Sequence, residues 1–123
     1  MLKGSNEIPS AITTAAGTAT FERDGRSVTY RVSAEGFTTP LTVGHIHLGM
    51  AGQVGPVIVP FTIVAQAGLV ATGTIDLSRA VTQGNITITG DSLRALLDNG
   101  GAYVNLHTAA WPGGEIRGQI LRD

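Results

Sequence analysis

Short runs in which apolar and polar residues alternate recur along this chain, and they limit its fold more than any other feature. The run "GTATFER" ends before Asp24-Gly25, and the run "SVTYRVSAEG" follows. An Asp-Gly pair between two alternating runs is a strong β-hairpin signal. In the second run Val28, Tyr30 and Val32 share one face, because successive side chains of a strand point to opposite sides. We expect that face to lie in the core.

Eight segments of the chain show strand patterns bounded by turn residues. They are residues 17–23, 27–36, 41–49, 56–63, 69–78, 85–90, 102–108 and 115–122. Many short strands separated by glycine-rich turns are typical of a β-sandwich or a barrel. We therefore predict a single domain over residues 1–123, an all-β antiparallel, immunoglobulin-like or Greek-key sandwich of seven or eight strands.

The segment "DSLRALLDNGG" predicts one short helix, over about residues 92–98. Its three leucines fall on one face at helical spacing. Asp91 or Ser92 is the expected N-cap. Gly100 or Gly101 is expected to end the helix in the left-handed conformation.

Composition excludes several functional classes. Hydrophobic residues make up 42% of the chain and charged residues 14%, which argues for a packed domain rather than disorder. The net charge of −1 and the absence of basic runs argue against nucleic-acid binding. No stretch approaches the roughly 20 apolar residues of a membrane span, so no membrane insertion is expected. The chain contains no cysteine, which excludes disulfides and thiolate metal sites.

The three histidines fall on strand faces together with other polar residues. His45 and His47 in "GHIHLG" share a face, because residues two apart in a strand point the same way. Ile46 and Leu48 then point to the core. Three predicted strands thus carry outward polar rows: His45 and His47; Tyr103, Asn105 and His107; Glu115, Arg117 and Gln119. If these strands are neighbours, the rows form one polar patch or line a cleft.

A metal site is the sharpest interpretation of this patch. Three histidines with one open position are a ligand set that suits copper or zinc, and nitrogen ligands disfavour magnesium and calcium. Metal loading would then weaken below the ordinary histidine pKa of about 6.5. The alternative is that the histidines hydrogen-bond neighbouring Tyr, Asn or Glu side chains and stiffen the sheet. In strands, Glu115 and Arg117 at this spacing are more typical of a solvated or salt-bridged face.

Three functions remain open on this pattern. The first is a non-enzymatic module that binds copper or zinc through His45, His47 and His107. The second is a structural or adhesive domain without metal, whose partner is a protein or a glycan. The third is a small metalloenzyme that uses the same three histidines, with Glu115 as general base. The chain lacks a nucleophile elbow, a complete phosphate loop and a dinucleotide fingerprint.

Three stretches of the sequence resemble the CHRD domain, a repeat first described in chordin and also found singly in microbial proteins. They are "LKGSNEIPSAITTAAGTATF", "GHIHLGMAGQVGPVIVPF" and "GGAYVNLHTAAWPGGEIRGQI", and together they extend from about residue 2 to residue 120. The polar positions that match the family motif are His45, His47, Tyr103, Asn105, His107, Thr108, Glu115 and Arg117.

The resemblance implies an extracellular, periplasmic or cell-envelope β-sandwich. It does not imply a defined activity, and fold analogy to other metal-binding sandwiches does not transfer a function. The opening "MLKGSNEIPS" shows no charged start followed by an apolar run, so no signal peptide is predicted in this chain.

Overall fold

The computed structural model describes residues 1–64 and 68–120. Its elements, in chain order, are β1 (Leu2–Lys3), a 3₁₀ turn (Gly4–Asn6), β2 (Ala16–Asp24), β3 (Ser27–Glu35), β4 (Leu41–Leu48), β5 (Val57–Pro60), β6 (Leu69–Asp76), β7 (Val81–Gln83), β8 (Ile86–Ile88), α1 (Gly90–Asn99), β9 (Ala102–Thr108) and β10 (Ile116–Gln119). The predicted all-β antiparallel sandwich with one short helix is confirmed.

Eight strands form one antiparallel sheet in the order β5-β4-β9-β10-β1-β2-β3-β6, and β7 pairs with β8. The two-residue strand β1 joins β10 to β2, so the sheet divides into a β5-β4-β9-β10 half and a β2-β3-β6 half. The halves pack face to face: the rings of Tyr30 on β3 and Phe61 after β5 lie 4.9 Å apart. This packing of two sheet layers is what makes the fold sandwich-like.

The alternating pattern predicts the buried face correctly. Val28, Tyr30 and Val32 on β3 are all buried, as are Ile46 on β4 and Leu106 on β9. The core cluster draws on both sheet halves and on α1. The apolar sides of the strands therefore fill the space between the layers.

The Asp24-Gly25 hairpin also forms as predicted. Asp24 pairs with Ser27, and Gly25 has a φ of 62°, a left-handed value that glycine adopts without strain. The described part of the chain forms ten strands rather than seven or eight. The additional β1 and β7 span two and three residues, too few to show an alternating pattern. Residues 121–122 of the predicted last strand lie outside the described residues.

The helix includes the predicted residues but begins at a different cap. Neither Asp91 nor Ser92 is the N-cap; Thr89 is, and its side chain accepts a hydrogen bond from the Ser92 backbone N–H. Gly100 ends the helix with a φ of 78°, as expected. Within residues 1–64 and 68–120, no helix is long and apolar enough to cross a membrane.

Candidate metal centre

Strands β4, β9 and β10 bring the three polar rows together on one face. β9 pairs with both neighbours, so His45 lies opposite Asn105 and His47 opposite Tyr103. On the other side of β9, Arg117 lies opposite Asn105. The expectation that the rows merge is therefore confirmed. This face points away from the apolar core formed by Ile46, Val104 and Leu106.

The merged patch is buried, which corrects the expectation of a solvated outer face. Glu115 and Arg117 are only 1% and 3% exposed, and Tyr103 and Asn105 are buried with them. Three irregular segments cover this side of the sheet: the N-terminal residues 6–13, the loop 49–56 and the turn 109–114. Strand periodicity reports the side to which a residue points, and it carries no information on what later covers that side.

The N-terminal segment lies across β9 and β10 and bonds to their polar atoms. Asn6 Nδ2 donates to the Arg117 carbonyl at 2.9 Å, and Asn105 Nδ2 donates to Glu7 Oε2. Thr13 Oγ1 donates to Glu115 Oε2 at 2.6 Å. These long-range contacts explain why the patch is removed from water.

His45, His47 and His107, hereafter the histidine cluster, meet at one point of this face. One ring nitrogen from each residue lies within 4.8 Å of the other two. Three atoms with that maximum separation lie within about 2.8 Å of a common point (4.8/√3), against a zinc–nitrogen bond of about 2.0–2.1 Å. Each imidazole needs to move inward by less than about 1 Å to bind one ion.

Backbone carbonyls determine the tautomer of two of the three rings. His47 Nδ1 lies 2.9 Å from the Gly55 carbonyl, and His107 Nδ1 lies 2.9 Å from the Pro112 carbonyl. A carbonyl oxygen only accepts hydrogen bonds, so each Nδ1 carries the proton and each Nε2 carries a lone pair. This arrangement, a ring N–H held by a backbone carbonyl, is the usual support of a metal-ligating histidine.

The remaining nitrogens of the histidine cluster have no hydrogen-bond partner. His45 Nδ1, His47 Nε2 and His107 Nε2 are each buried and unpaired within the described part of the chain. A buried polar atom without a partner costs about 1–3 kcal/mol, so three in one place are unusual. Their lone pairs form a ligand set that fits a transition-metal ion.

The loop 49–56 positions His47 through Gly55. The Gly55 carbonyl accepts from His47, and its N–H donates to Tyr103 Oη at 3.1 Å. A Cβ at Gly55 would lie 1.5 Å from the Leu48 carbonyl oxygen, so only glycine allows the loop to approach β4 this closely.

Tyr103 separates His47 from Arg117. Its ring stacks on His47 with centroids 4.9 Å apart and an interplanar angle of 8°. The guanidinium carbon of Arg117 lies 3.4 Å from the Tyr103 centroid, and Nη2 donates to the Met50 carbonyl at 3.1 Å. A permanent positive charge is thus held close to the histidine cluster on its β10 side.

Burial favours the neutral form of His45 and His47. Desolvation, with smaller contributions from His107 and His47, lowers the pKa of His45 to about 4. Burial also lowers the pKa of His47. The hydrogen bond to Gly55 acts in the opposite direction, whereas the charges of His107 and Arg117 add to the decrease. Neutral imidazole is the form that binds metal, so protons compete with a metal at a lower pH than the ordinary value of 6.5 implies.

The acidic residues of the patch have structural partners. Glu115 Oε1 accepts from Thr108 Oγ1 and Oε2 accepts from Thr13 Oγ1, both at 2.6 Å. Glu115 is therefore a buried hydrogen-bond acceptor that links the N-terminal segment to β9. Desolvation raises the pKa of Glu7 to about 7, although Asn105 and Arg117 favour its charged form.

His47 and His107 bond to loop carbonyls, whereas the alternative interpretation has the histidines bonded to neighbouring Tyr, Asn or Glu side chains. The sequence reasoning also missed Glu7 and Thr13, which complete the buried patch. The only signal for Glu7 is its place in "NEIP", one of the stretches on which the family resemblance rests. Nothing local marks Thr13, whose partner Glu115 lies 102 residues away.

Comparison with known proteins gives one match. A family model for the CHRD domain matches residues 1–120, nearly the whole chain. No curated protein and no solved structure matches the chain. The matched range includes all three histidines and every residue of the buried polar patch.

Proposed function

The chain belongs to the CHRD domain family, and on that premise we propose that it is an extracytoplasmic module that binds copper or zinc through the histidine cluster. The observation that carries the proposal is the set of three buried, unpaired imidazole nitrogens on residues that converge within 4.8 Å. A bound ion would satisfy all three at once. It would also provide a Lewis-acidic centre at the junction of β4 and β9.

The supporting residues favour a preformed site. The Nδ1 hydrogen bonds of His47 and His107 orient two rings before any metal arrives, and the Tyr103 ring supports His47 from the β10 side. Preorganised ligands bind more tightly, because less rotamer freedom is lost on binding. Hydrogen bonds that orient metal-binding histidines in this way typically change metal affinity by about 10- to 100-fold.

An extracellular or cell-envelope location follows from the family, and we include it in the proposal. The family also suggests protein binding in general. The loop 49–56 offers two exposed apolar side chains for such a contact, Met50 at 52% and Val54 at 71% exposure. Because the same loop holds Gly55 against His47, a partner docked there would touch the support of the metal site.

The test is metal-dependent stability combined with metal analysis of the protein. We expect one equivalent of Cu or Zn per chain. At a free metal concentration about 100 times the Kd, stability should rise by about 2.7 kcal/mol, or roughly 10 °C in the melting midpoint. The His47→Ala variant should lose this stabilisation.

Asp91→Asn is the matched control, because the Asp91 carboxylate is 84% exposed and could bind a metal ion only nonspecifically at the surface. It should keep the full stabilisation. If Cu(I), Cu(II) and Zn(II) all leave the wild-type melting midpoint unchanged, the metal proposal is wrong. The non-metal domain that contacts a protein or a glycan would then be the better interpretation.

A further inference from the structure

The histidine cluster offers three imidazole donors, which bind metal in their neutral form, and no fourth His, Cys, Asp or Glu of the described residues joins them. Among the described residues, no Asp, Glu or Cys lies close enough to complete the group of His45, His47 and His107. Protein zinc sites are almost always four-coordinate and tetrahedral. Cu(I) has a filled d shell and a single charge, and it accepts three ligands in a plane. The donor count therefore suits Cu(I) better than Zn(II).

The donor nitrogens of the cluster are shielded from water, while the His45 side chain as a whole is partly exposed. The unpaired nitrogens of the three rings each expose less than 1 Å². The loop 49–56 and the turn 109–114 hold two of the rings from the solvent side through Gly55 and Pro112. A zinc ion would need a water or another ligand brought into this position, whereas a trigonal ion would not.

The charges around the cluster disfavour a second positive charge. Arg117 lies against one face of the Tyr103 ring, and that ring stacks on His47, so the guanidinium charge lies close to the cluster. The nearby carboxyl groups offset little of this positive charge. Glu7 is only about half ionised at neutral pH, because its pKa is raised to about 7. Both oxygens of Glu115 already accept hydrogen bonds from threonine hydroxyls. The desolvation cost of an ion grows with the square of its charge, so a divalent ion costs about four times as much as a monovalent one.

From the donor set, the shielding and the charge distribution, we infer that the histidine cluster is a trigonal Cu(I) site that discriminates against Zn(II) and Cu(II). The inference rests on the proposed function and narrows it to one ion and one oxidation state. Three neutral ligands beside a guanidinium stabilise a monovalent ion better than a divalent ion.

The test is an anaerobic competition at pH 7.5 with chromogenic chelators of known affinity for Cu(I) and for Zn(II), and with a Cu(II) chelator in air. We expect the Kd for Cu(I) to be at least about 100-fold lower than the Kd for Zn(II). X-ray absorption of the Cu(I) form should show three nitrogen ligands. If Zn(II) or Cu(II) binds as tightly as Cu(I), the inferred preference for Cu(I) is wrong, but the proposal that the cluster binds a metal is supported. If none of the three ions binds, the proposed function itself is wrong.

A charge variant tests the electrostatic part. Arg117→Met keeps an unbranched side chain against Tyr103 and removes the positive charge. We expect Zn(II) to bind about 10-fold more tightly relative to Cu(I). The control is Arg31→Met, an exposed arginine on β3 in the other sheet half, which should leave the ratio unchanged. The quantity measured is the ratio of the two metal affinities, because a structural change that weakens both metals equally does not alter this ratio. If the folded Arg117→Met protein keeps the wild-type ratio of Zn(II) to Cu(I) affinity, the role given to Arg117 is wrong. If that variant does not fold, the wild-type competition decides whether the site prefers Cu(I).

Discussion

Two buried polar clusters lie side by side on the β4-β9-β10 face, and they differ in how their polar atoms are satisfied. The carboxylate cluster consists of Glu7, Thr13, Asn105, Thr108 and Glu115, in which both Glu115 oxygens accept hydroxyl hydrogen bonds and Glu7 accepts from Asn105. The histidine cluster leaves one nitrogen of each ring unpaired.

Both clusters are mostly buried, with His45 and Thr13 partly exposed, so burial alone does not separate a structural group from a ligand site. Hydrogen-bond satisfaction separates them. A buried group that already has its partners stabilises the fold, whereas a set of converging unpaired lone pairs raises the free energy of the metal-free protein and lowers it once an ion is bound. Glu115 with Thr13 and Thr108 in the carboxylate cluster belongs to the first kind. The histidine cluster has the properties of the second.

The largest effect is expected from removing the centre of the carboxylate cluster. Glu115→Ala leaves the hydroxyls of Thr13 and Thr108 without their acceptor in a site where Thr108 is 0% exposed. We expect a loss of about 3 kcal/mol in the free energy of unfolding, measured with denaturant. The exposed Glu22→Ala on β2 is the control and should change stability by less than about 0.5 kcal/mol.

The same loss should appear with and without metal, because Glu115 is not a ligand in the proposed site. A loss that appeared only in the metal-loaded protein would break the distinction between the two clusters. It would place Glu115 in the metal site instead.

The next effect is a pH dependence that arises from Glu7. Its pKa is about 7 in the folded protein against an ordinary 4.5, so the folded state binds more protons between these values. Stability from this group is therefore present below about pH 4.5 and is lost as pH rises through about 7. Glu7→Gln should gain about 2 kcal/mol on wild type between pH 4.5 and 8.

His45 has the opposite sign, since its pKa is lowered from 6.5 to about 4 and its contribution is lost as pH falls through that range. The stability of the wild-type protein therefore contains the pH dependences of Glu7 and of His45 together. The difference between wild type and Glu7→Gln isolates the carboxylate. If that difference does not change across the pH range, Glu7 is not a desolvated acid in solution.

The smallest effect is expected from the histidine cluster in the absence of metal. His45→Ala removes a side chain whose buried Nδ1 has no partner, so metal-free stability should change by no more than about 1 kcal/mol. The stabilisation by added copper should disappear in the same variant. Denaturant unfolding in a metal chelator, then with Cu(I), measures both quantities. A loss above about 2 kcal/mol in the chelator would mean that His45 is structural.

Local patterns were sufficient to predict most of the fold and the membership of the histidine cluster. Alternation with a period of two predicted which sides of β3, β4 and β9 face the core, because that period is a property of the extended backbone. The same rule placed His45 and His47 on one side of β4. The cap of α1 was misassigned, since Thr89, Asp91 and Ser92 are all chemically suitable caps.

Residue patterns within single segments thus predict eight of the ten described strands, their core-facing sides and the shared side of the three histidines. Long-range packing, by contrast, covers this side, brings Glu7 to Asn105 across 98 residues and places the loop carbonyls that orient His47 and His107. The physical reason is one of range. Side-chain direction is set by neighbouring peptide units and can be read locally, whereas burial and hydrogen-bond satisfaction depend on segments far apart in the chain that meet only when the sandwich closes.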